Sequence, residues 1–237
     1  MLRDYETNKE QSSPCWPEEW EKTLQELVTF RSAHYVTEQM LLKAIRLVDG
    51  CNAAYRGNDG RLCHSERVTN YAALLGRHLG FSNTMLKRLI KGGLFHDVGK
   101  IGIPASILFK KDALNFSEYR VIKQHPEIGA ELLRHFPDLW VAIPAVRHHH
   151  ERFDGSGYPY GLSGDAIPIE AQIVGLADSF DALTMDRPYR KALSVEMAMQ
   201  ILERQTEEGR WNPYLFITFQ KLLREGVLHS VQEQPKM

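Results

Sequence analysis

Cysteine is scarce in this chain: Cys15, Cys51 and Cys63 are an odd number with no C-x-x-C spacing, which excludes a disulfide framework and a structural zinc site and leaves plain thiols. Long apolar runs are missing too. The longest, Leu139 to Val146, is interrupted by Pro144 and falls far short of the ~18–20 residues that span a bilayer. Met1 to Glu10 is polar and does not read as a secretory signal. Charge of one sign is not in excess: Lys+Arg 29 against Asp+Glu 30 leaves a net charge of −1, so charge-driven binding to polymeric nucleic acid is not expected. A convincing alternating strand pattern and an internal repeat are also lacking. These absences together predict a soluble, cytoplasmic protein without a membrane span, which binds its ligand locally.

What is present is an ordinary globular composition, 237 residues with 43% apolar and 25% charged side chains, enough for one substantial domain with a short appendage. Apolar residues recur at helical spacing almost throughout. Residues 1–16 read as a loose tail, Glu18 to Ala33 as a helix, and Thr37 to Val48 as a second. Asp49 to Arg61, with three glycines and two asparagines, reads as a loop. Helical periods resume over Leu62–Leu79 and Asn83–Val98. Ser117 is the expected N-cap of a helix to Gln124, with a restart at His125 where Pro126 removes an amide donor. Asp138–His150 reads as helical despite Pro144, and Arg152–Pro168 is the one long loop, a length that points to function. Glu170–Thr184, Ser194–Glu208 and Asn212–Glu225 complete an all-α fold. Gly92-Gly93 inside a helix costs ~1 kcal/mol per glycine relative to alanine, which suggests close helix packing there.

The unusual feature is histidine. Eight of the ten fall within the 87 residues from 64 to 150, and histidine is the commonest metal ligand. His64, His96, His125, His149 and His150, with Asp97 and Asp178, make a ligand set of imidazoles and carboxylates without thiolate, suited to iron or manganese. Asp178 lies among apolar helical neighbours and needs a partner. His96 and Asp97 are adjacent, and adjacent helical residues diverge by ~100°, so both reach one centre only if it is large or holds more than one ion. Were Asp97 or Asp178 to bridge two ions ~3.5–4 Å apart, a shared water would become a hydroxide nucleophile near neutral pH. Phosphodiester hydrolysis is the chemistry that suits. For any single histidine a bland role remains the default, and His34, His78, His135 and His229 keep it. His148 is either an outer partner or solvent-facing; Asp181, Glu151 and Asp154 are either outer partners of the ligands or closers of local turns.

Five blocks in order, HSERV at 64–68, HDVGKIGIP at 96–104, HPEIGA at 125–130, HHERFDGSGYP at 149–159 and ADSFDALTMDRPYR at 177–190, resemble the HD-GYP phosphodiesterases of the larger HD superfamily. The resemblance covers roughly residues 40 to 225. It implies an HD-type helical bundle over 37–228, with 1–36 as an N-terminal tail and helix and 229–237 as a C-terminal tail. It implies two or three iron or manganese ions held by His64, His96, Asp97, His125, His149, His150 and Asp178, with Asp97 as the bridge. It implies hydrolysis of a cyclic dinucleotide, cyclic di-GMP foremost, to linear pGpG and onward to GMP in some cases, by a metal-bridging hydroxide. Lys100, Arg187 and Arg190 are assigned by it to substrate phosphate, Lys100 also to catalysis, and Tyr158 to packing or contact with a base. One departure concerns the third ion. The family's Glu four residues before the first ligand histidine is here Gly60, so two divalent ions are expected; a third would need a ligand such as Asp59. Alternatives of other classes are a cyclic-dinucleotide sensor or scaffold without turnover and an HD-type phosphohydrolase of mononucleotides. A homodimer or a partner signalling protein is a further expectation.

Overall fold

The computed structural model describes residues 38–48, 62–186 and 191–226. The expected helix at 18–33, the loop at 49–61, the position of Gly60, and Arg187 and Arg190 lie outside the described residues. Within them the chain is helical, with no strand and one isolated bridge between Asp154 and Ser163. The helices are α1 (Glu38–Val48), α2 (His64–His78), α3 (Asn83–Phe95), α4 (Ala105–Leu108), α5 (Phe116–Ile122), α6 (His125–Leu133), α7 (Ile143–His148), α8 (Ile169–Thr184), α9 (Val195–Glu207) and α10 (Pro213–Arg224).

Local chemistry explains the starts. Glu66 in the first turn of α2 accepts from the Cys63 amide at 2.9 Å and pairs with Arg46 of α1 at 2.9 Å, so one free N–H of the helix end is satisfied and two helices are tied. Ser82, Ser194 and Asn212 cap α3, α9 and α10. Pro213 and Pro126 occupy first-turn positions where a missing amide costs nothing. The cap of α5 is Asn115 rather than Ser117: its side chain accepts from the Glu118 amide while the Glu118 carboxylate accepts from the Asn115 amide and from Lys110. That reciprocal pair starts the helix one residue before Ser117.

Two expected helices are shorter. The segment expected to run from Asn83 to Val98 ends at Phe95 and passes into a 3₁₀ turn over Val98–Gly102. Asp138–His150 splits into a 3₁₀ turn, Pro137–Ala142, and α7, in whose first turn Pro144 sits. The first break falls where His96 and Asp97 stand.

The core has two clusters. One gathers Val68, Tyr71, Leu75, Ile173, Phe180 and Phe219 with their neighbours on α2, α8 and α10; Tyr71, Phe180 and Phe219 meet edge to face with centroids 5.2–6.4 Å apart, a favourable aromatic geometry. The other joins Leu41 and Ile45 of α1 to Phe95, Val98, Leu133, Leu139 and Val146. Helices α3 and α7 serve both. A Cβ on Gly92 would stand 2.5 Å from Ala145 Cβ, and one on Gly93 2.8 Å from Thr69 Oγ1 and 3.0 Å from its Cα. The glycine pair therefore lets α3 lie against α7 and α2, the three helices whose ends carry His96, His149 and His64.

Candidate metal centre

Helix ends build the site. His96 is the C-cap of α3, His149 the C-cap of α7, and His125 follows the end of α5. At such ends carbonyls lack partners, and each imidazole supplies one. His96 Nδ1 bonds Gly93 O at 2.8 Å, His125 Nδ1 bonds Ile122 O at 2.8 Å, and His149 Nδ1 bonds Val146 O at 2.9 Å. In each case the acceptor lies three residues back. A ring that donates from Nδ1 to a carbonyl keeps the lone pair of the neutral imidazole on Nε2. All three Nε2 atoms consequently face one space.

His64, at the start of α2, reaches that space by another route. Its Nδ1 bonds Asp181 Oδ2 at 2.7 Å, and Arg67, one turn along the same helix, fixes Asp181 through Nε at 2.6 Å and Nη2 at 2.9 Å. Asp181 is thus an outer partner that orients a ligand candidate. Its carboxyl is buried; burial opposes its charge, but hydrogen bonds from His64 and Arg67 hold it below the usual range. The Asp181→Asn variant is expected to weaken divalent-ion binding about 10–100-fold, measured by competition with a chromophoric chelator. Unchanged affinity would make the pair merely structural.

Around the shared space the seven candidates fall into two groups, Asp97 with His125, His149 and His150, and Asp178 with His64 and His96, the ligand atoms of each group lying within 4.8 Å of one another. Asp97 faces both. Its Oδ1 is 3.2 Å from His125 Nε2 and 4.0 Å from His149 Nε2, while its Oδ2 is 3.3 Å from His96 Nε2 and 3.7 Å from His64 Nε2. Asp178 Oδ1 lies 3.3 Å from His64 Nε2, which supplies the partner that its apolar neighbours lack. The expected divergence of His96 and Asp97 does not arise, because Asp97 has already left the helix, with φ −98° and ψ 6°. The turn swings its carboxylate back beside the preceding imidazole.

The electrostatics are those of a site short of positive charge. Burial opposes ionisation of Asp97, yet the Lys100 ammonium and then His96 beside it hold its carboxyl well below the ordinary range. Lys100 Nζ donates to Asp97 Oδ2. Burial, then the neighbouring His96 and His125, push His149 down to about 3, so this ring is neutral at physiological pH and fit to ligate. His96 Nε2 is fully buried and has no hydrogen-bond partner, a cost that a cation in the shared space would remove. An all-nitrogen-and-oxygen donor set with a two-sided carboxylate fits divalent ions.

A pH prediction follows for protein stripped of metal. The unfolded His149 titrates at its ordinary 6.5 and the folded one at about 3, so between those values the unfolded chain binds the extra proton. Stability contributed by this ring is full above pH ~6.5 and is lost as pH falls through the window. Urea midpoints of the wild type should drop more steeply between pH 7 and 5 than those of His149→Gln; parallel profiles would refute the assignment.

The long loop closes on the centre. Tyr158 stacks on His150 with centroids 4.7 Å apart and 25° between planes, and burial raises its hydroxyl above the ordinary range. Glu151 accepts from the Tyr160 and Leu162 amides, and Asp154 from the Ser156 amide, so both carboxylates close the loop. His148 turns the other way, 3.8 Å from Glu151 and beside the Tyr160 ring. Trp211, unremarkable in sequence, carries the Arg152 guanidinium on its face at 4.2 Å and so braces the loop against the turn that leads into α10. Sequence reasoning also missed the carbonyl acceptors three residues before each helix-end histidine, a spacing that is visible once the helix ends are known. It missed Gly99 and Gly175 too, where a Cβ would stand 1.9 Å from His125 O and 2.4 Å from His149 O.

A family model described as HD domain matches residues 52–215. The chain is 40% identical over 168 residues to the cyclic di-GMP phosphodiesterase response regulator RpfG of Xanthomonas campestris, covering 70% of this chain and 42% of that protein. It is 37% identical over 172 residues to 3'3'-cGAMP-specific phosphodiesterase 1 of Vibrio cholerae, covering 73% and 40%. The chain therefore spans less than half the length of these relatives. Among solved structures it resembles Bd1817, an HDG"Y"P protein from Bdellovibrio bacteriovorus, with a TM-score of 0.58 at 20% identity over 86% of this chain and 68% of that one, a likeness of fold.

Proposed function

Because the chain belongs to the HD-domain family, and carries its HD pair at 96–97 and a GYP segment at 157–159, we propose that it is a metal-dependent phosphodiesterase. Its substrate on this reading is a cyclic dinucleotide, cyclic di-GMP foremost, opened to linear pGpG. The single observation that carries the reading is Asp97, whose two oxygens face two separate groups of nitrogen and oxygen donors. The names of the relatives, which specify cyclic di-GMP and 3'3'-cGAMP, support the substrate class.

His125, His149 and His150 with Asp97 would hold one divalent ion, and His64, His96 and Asp178 with Asp97 a second, iron or manganese by the character of the donors. Such a pair supplies an activated water near neutral pH and positive charge for phosphoryl oxygens. The chain's own groups do the rest. Nδ1 bonds to carbonyls and to Asp181 fix the Nε2 atoms of His64, His96, His125 and His149 before anything binds, so little reorganisation of these four accompanies binding. Lys100 holds Asp97 Oδ2 and brings an ammonium to the edge of the centre, where a phosphate would gain from it. Tyr158 covers His150 and excludes water from that side. Arg187 and Arg190 offer guanidinium forks for the phosphate not being cut. We assign this unit to residues 37–228 and take it to act in the cytoplasm.

Protein purified anaerobically should contain two iron or manganese ions per chain and convert cyclic di-GMP or 3'3'-cGAMP to the linear dinucleotide, resolved by chromatography. Metal-loaded protein that turns over neither defeats the reading. Nucleotide bound tightly and recovered intact would mark a sensor instead.

A further inference from the structure

Beside the centre stand two side chains, Lys123 and Tyr119, to which the HD pair and GYP segment give no role. Lys123 is the C-cap of α5, two residues before His125. Its ammonium lies 5.3 Å from the centroid of Tyr119, one turn back on the same helix, and 5.7 Å from that of Tyr158. Tyr158 in turn stacks on His150. The row His150, Tyr158, Lys123, Tyr119 therefore leads from the centre outward, and its last ring is 47% exposed.

Two features set this row apart from a packing contact. Lys100, the other lysine at the centre, is engaged with the Asp97 carboxylate, whereas Lys123 is half-buried and, among the described residues, has no carboxylate within ion-pair distance. Its charge rests on the faces of two rings, a geometry that leaves its hydrogen-bond donors uncommitted. Tyr119 is an exposed aromatic on a seven-residue helix whose start is locked by the Asn115–Glu118 pair and by Lys110. A solvent-facing ring held on a fixed frame beside a lysine is a surface on which a purine stacks while its phosphate meets the ammonium.

We propose that Lys123 and Tyr119 form a nucleotide subsite beside the centre, Lys123 contacting a phosphate of the cyclic dinucleotide and Tyr119 stacking on one of its bases. This assignment rests on the functional reading above and adds to it the wall of the site formed by α5. Tyr158 shapes the subsite from the other side by holding Lys123 in place.

The test is equilibrium binding of cyclic di-GMP and 3'3'-cGAMP, by dialysis with calcium in place of the catalytic metal, together with steady-state kinetics on manganese-loaded protein. Lys123→Gln should weaken binding at least about tenfold and raise KM more than it lowers kcat, the pattern of lost substrate binding. Lys123→Arg should restore binding to within about threefold, since the cation over the rings is kept. Tyr119→Ala should weaken binding about tenfold while Tyr119→Phe retains it, as stacking requires. Metal content and melting temperature serve as checks that the centre and fold are intact. Wild-type protein that binds while Lys123→Gln and Tyr119→Ala bind equally well would overturn the subsite alone. Wild-type protein that neither binds nor cleaves any cyclic dinucleotide would overturn the functional reading with it.

Discussion

Asp97→Ala is expected to lower turnover of the cyclic dinucleotide by more than about 10³-fold and to release at least one metal ion per chain. The reason is geometric. Oδ1 faces His125 and His149, Oδ2 faces His96 and His64, so one substitution removes a donor from both groups at once. Loss of any one imidazole would leave the other group whole. Asp97→Asn separates charge from shape: an amide keeps one oxygen but offers nitrogen on the opposite side, which cannot ligate as a donor of hydrogen. Elemental analysis should find the asparagine variant with fewer ions than the wild type, and its kcat should fall nearly as far as that of the alanine variant. Two ions and undiminished turnover in either protein would show that Asp97 does not join the groups.

The second large effect needs no ligand side chain. Gly99→Ala would place a Cβ 1.9 Å from His125 O and 2.4 Å from Gly129 N, both backbone atoms of the loop and helix that carry His125. Backbone does not yield as a side-chain terminus does, so the 3₁₀ turn and α6 must separate. Overpacking of this kind costs about 3 kcal/mol or more, which for a chain of this size lowers Tm by roughly 6–12 °C. Separation also pulls Asp97 from His125, so metal content should fall with Tm. Gly102→Ala is the control, because the nearest atoms its Cβ would meet belong to the Ile128 side chain, 2.8 Å away at Cγ2, and a side chain gives more readily than backbone. Thermal melting and elemental analysis of the two variants check the claim; equal melting points would refute it.

Much of the architecture follows from local pattern. Helical spacing of Val68, Tyr71 and Leu75, the caps at Ser82, Ser194 and Asn212, and the restart at His125 all stand as the residues dictate. The exceptions have different causes. Asn83–Val98 and Asp138–His150 look continuous because periodicity registers only which residues are apolar. The break after Phe95 lies beside a tertiary contact, Gly99 against the His125 carbonyl, whereas the one after Ala142 is local, with Pro144 in the first turn of α7 and no amide to offer the Trp140 carbonyl. Only the first is hidden from a residue-by-residue reading, which holds no information about a distant carbonyl.

The same division runs through the site. Residue type alone settled that this chain gathers imidazoles and carboxylates without thiolate, in an all-helical frame, because ligand chemistry belongs to the side chain and helix formation to its near neighbours. Tertiary packing alone decided that His64 leans on Asp181 and Arg67, that Glu151 and Asp154 close their loop, and that Asp97 looks both ways. Those outcomes depend on distances of a few ångströms between segments up to 117 positions apart, and such distances are set only when close-packed helices have nowhere else to go.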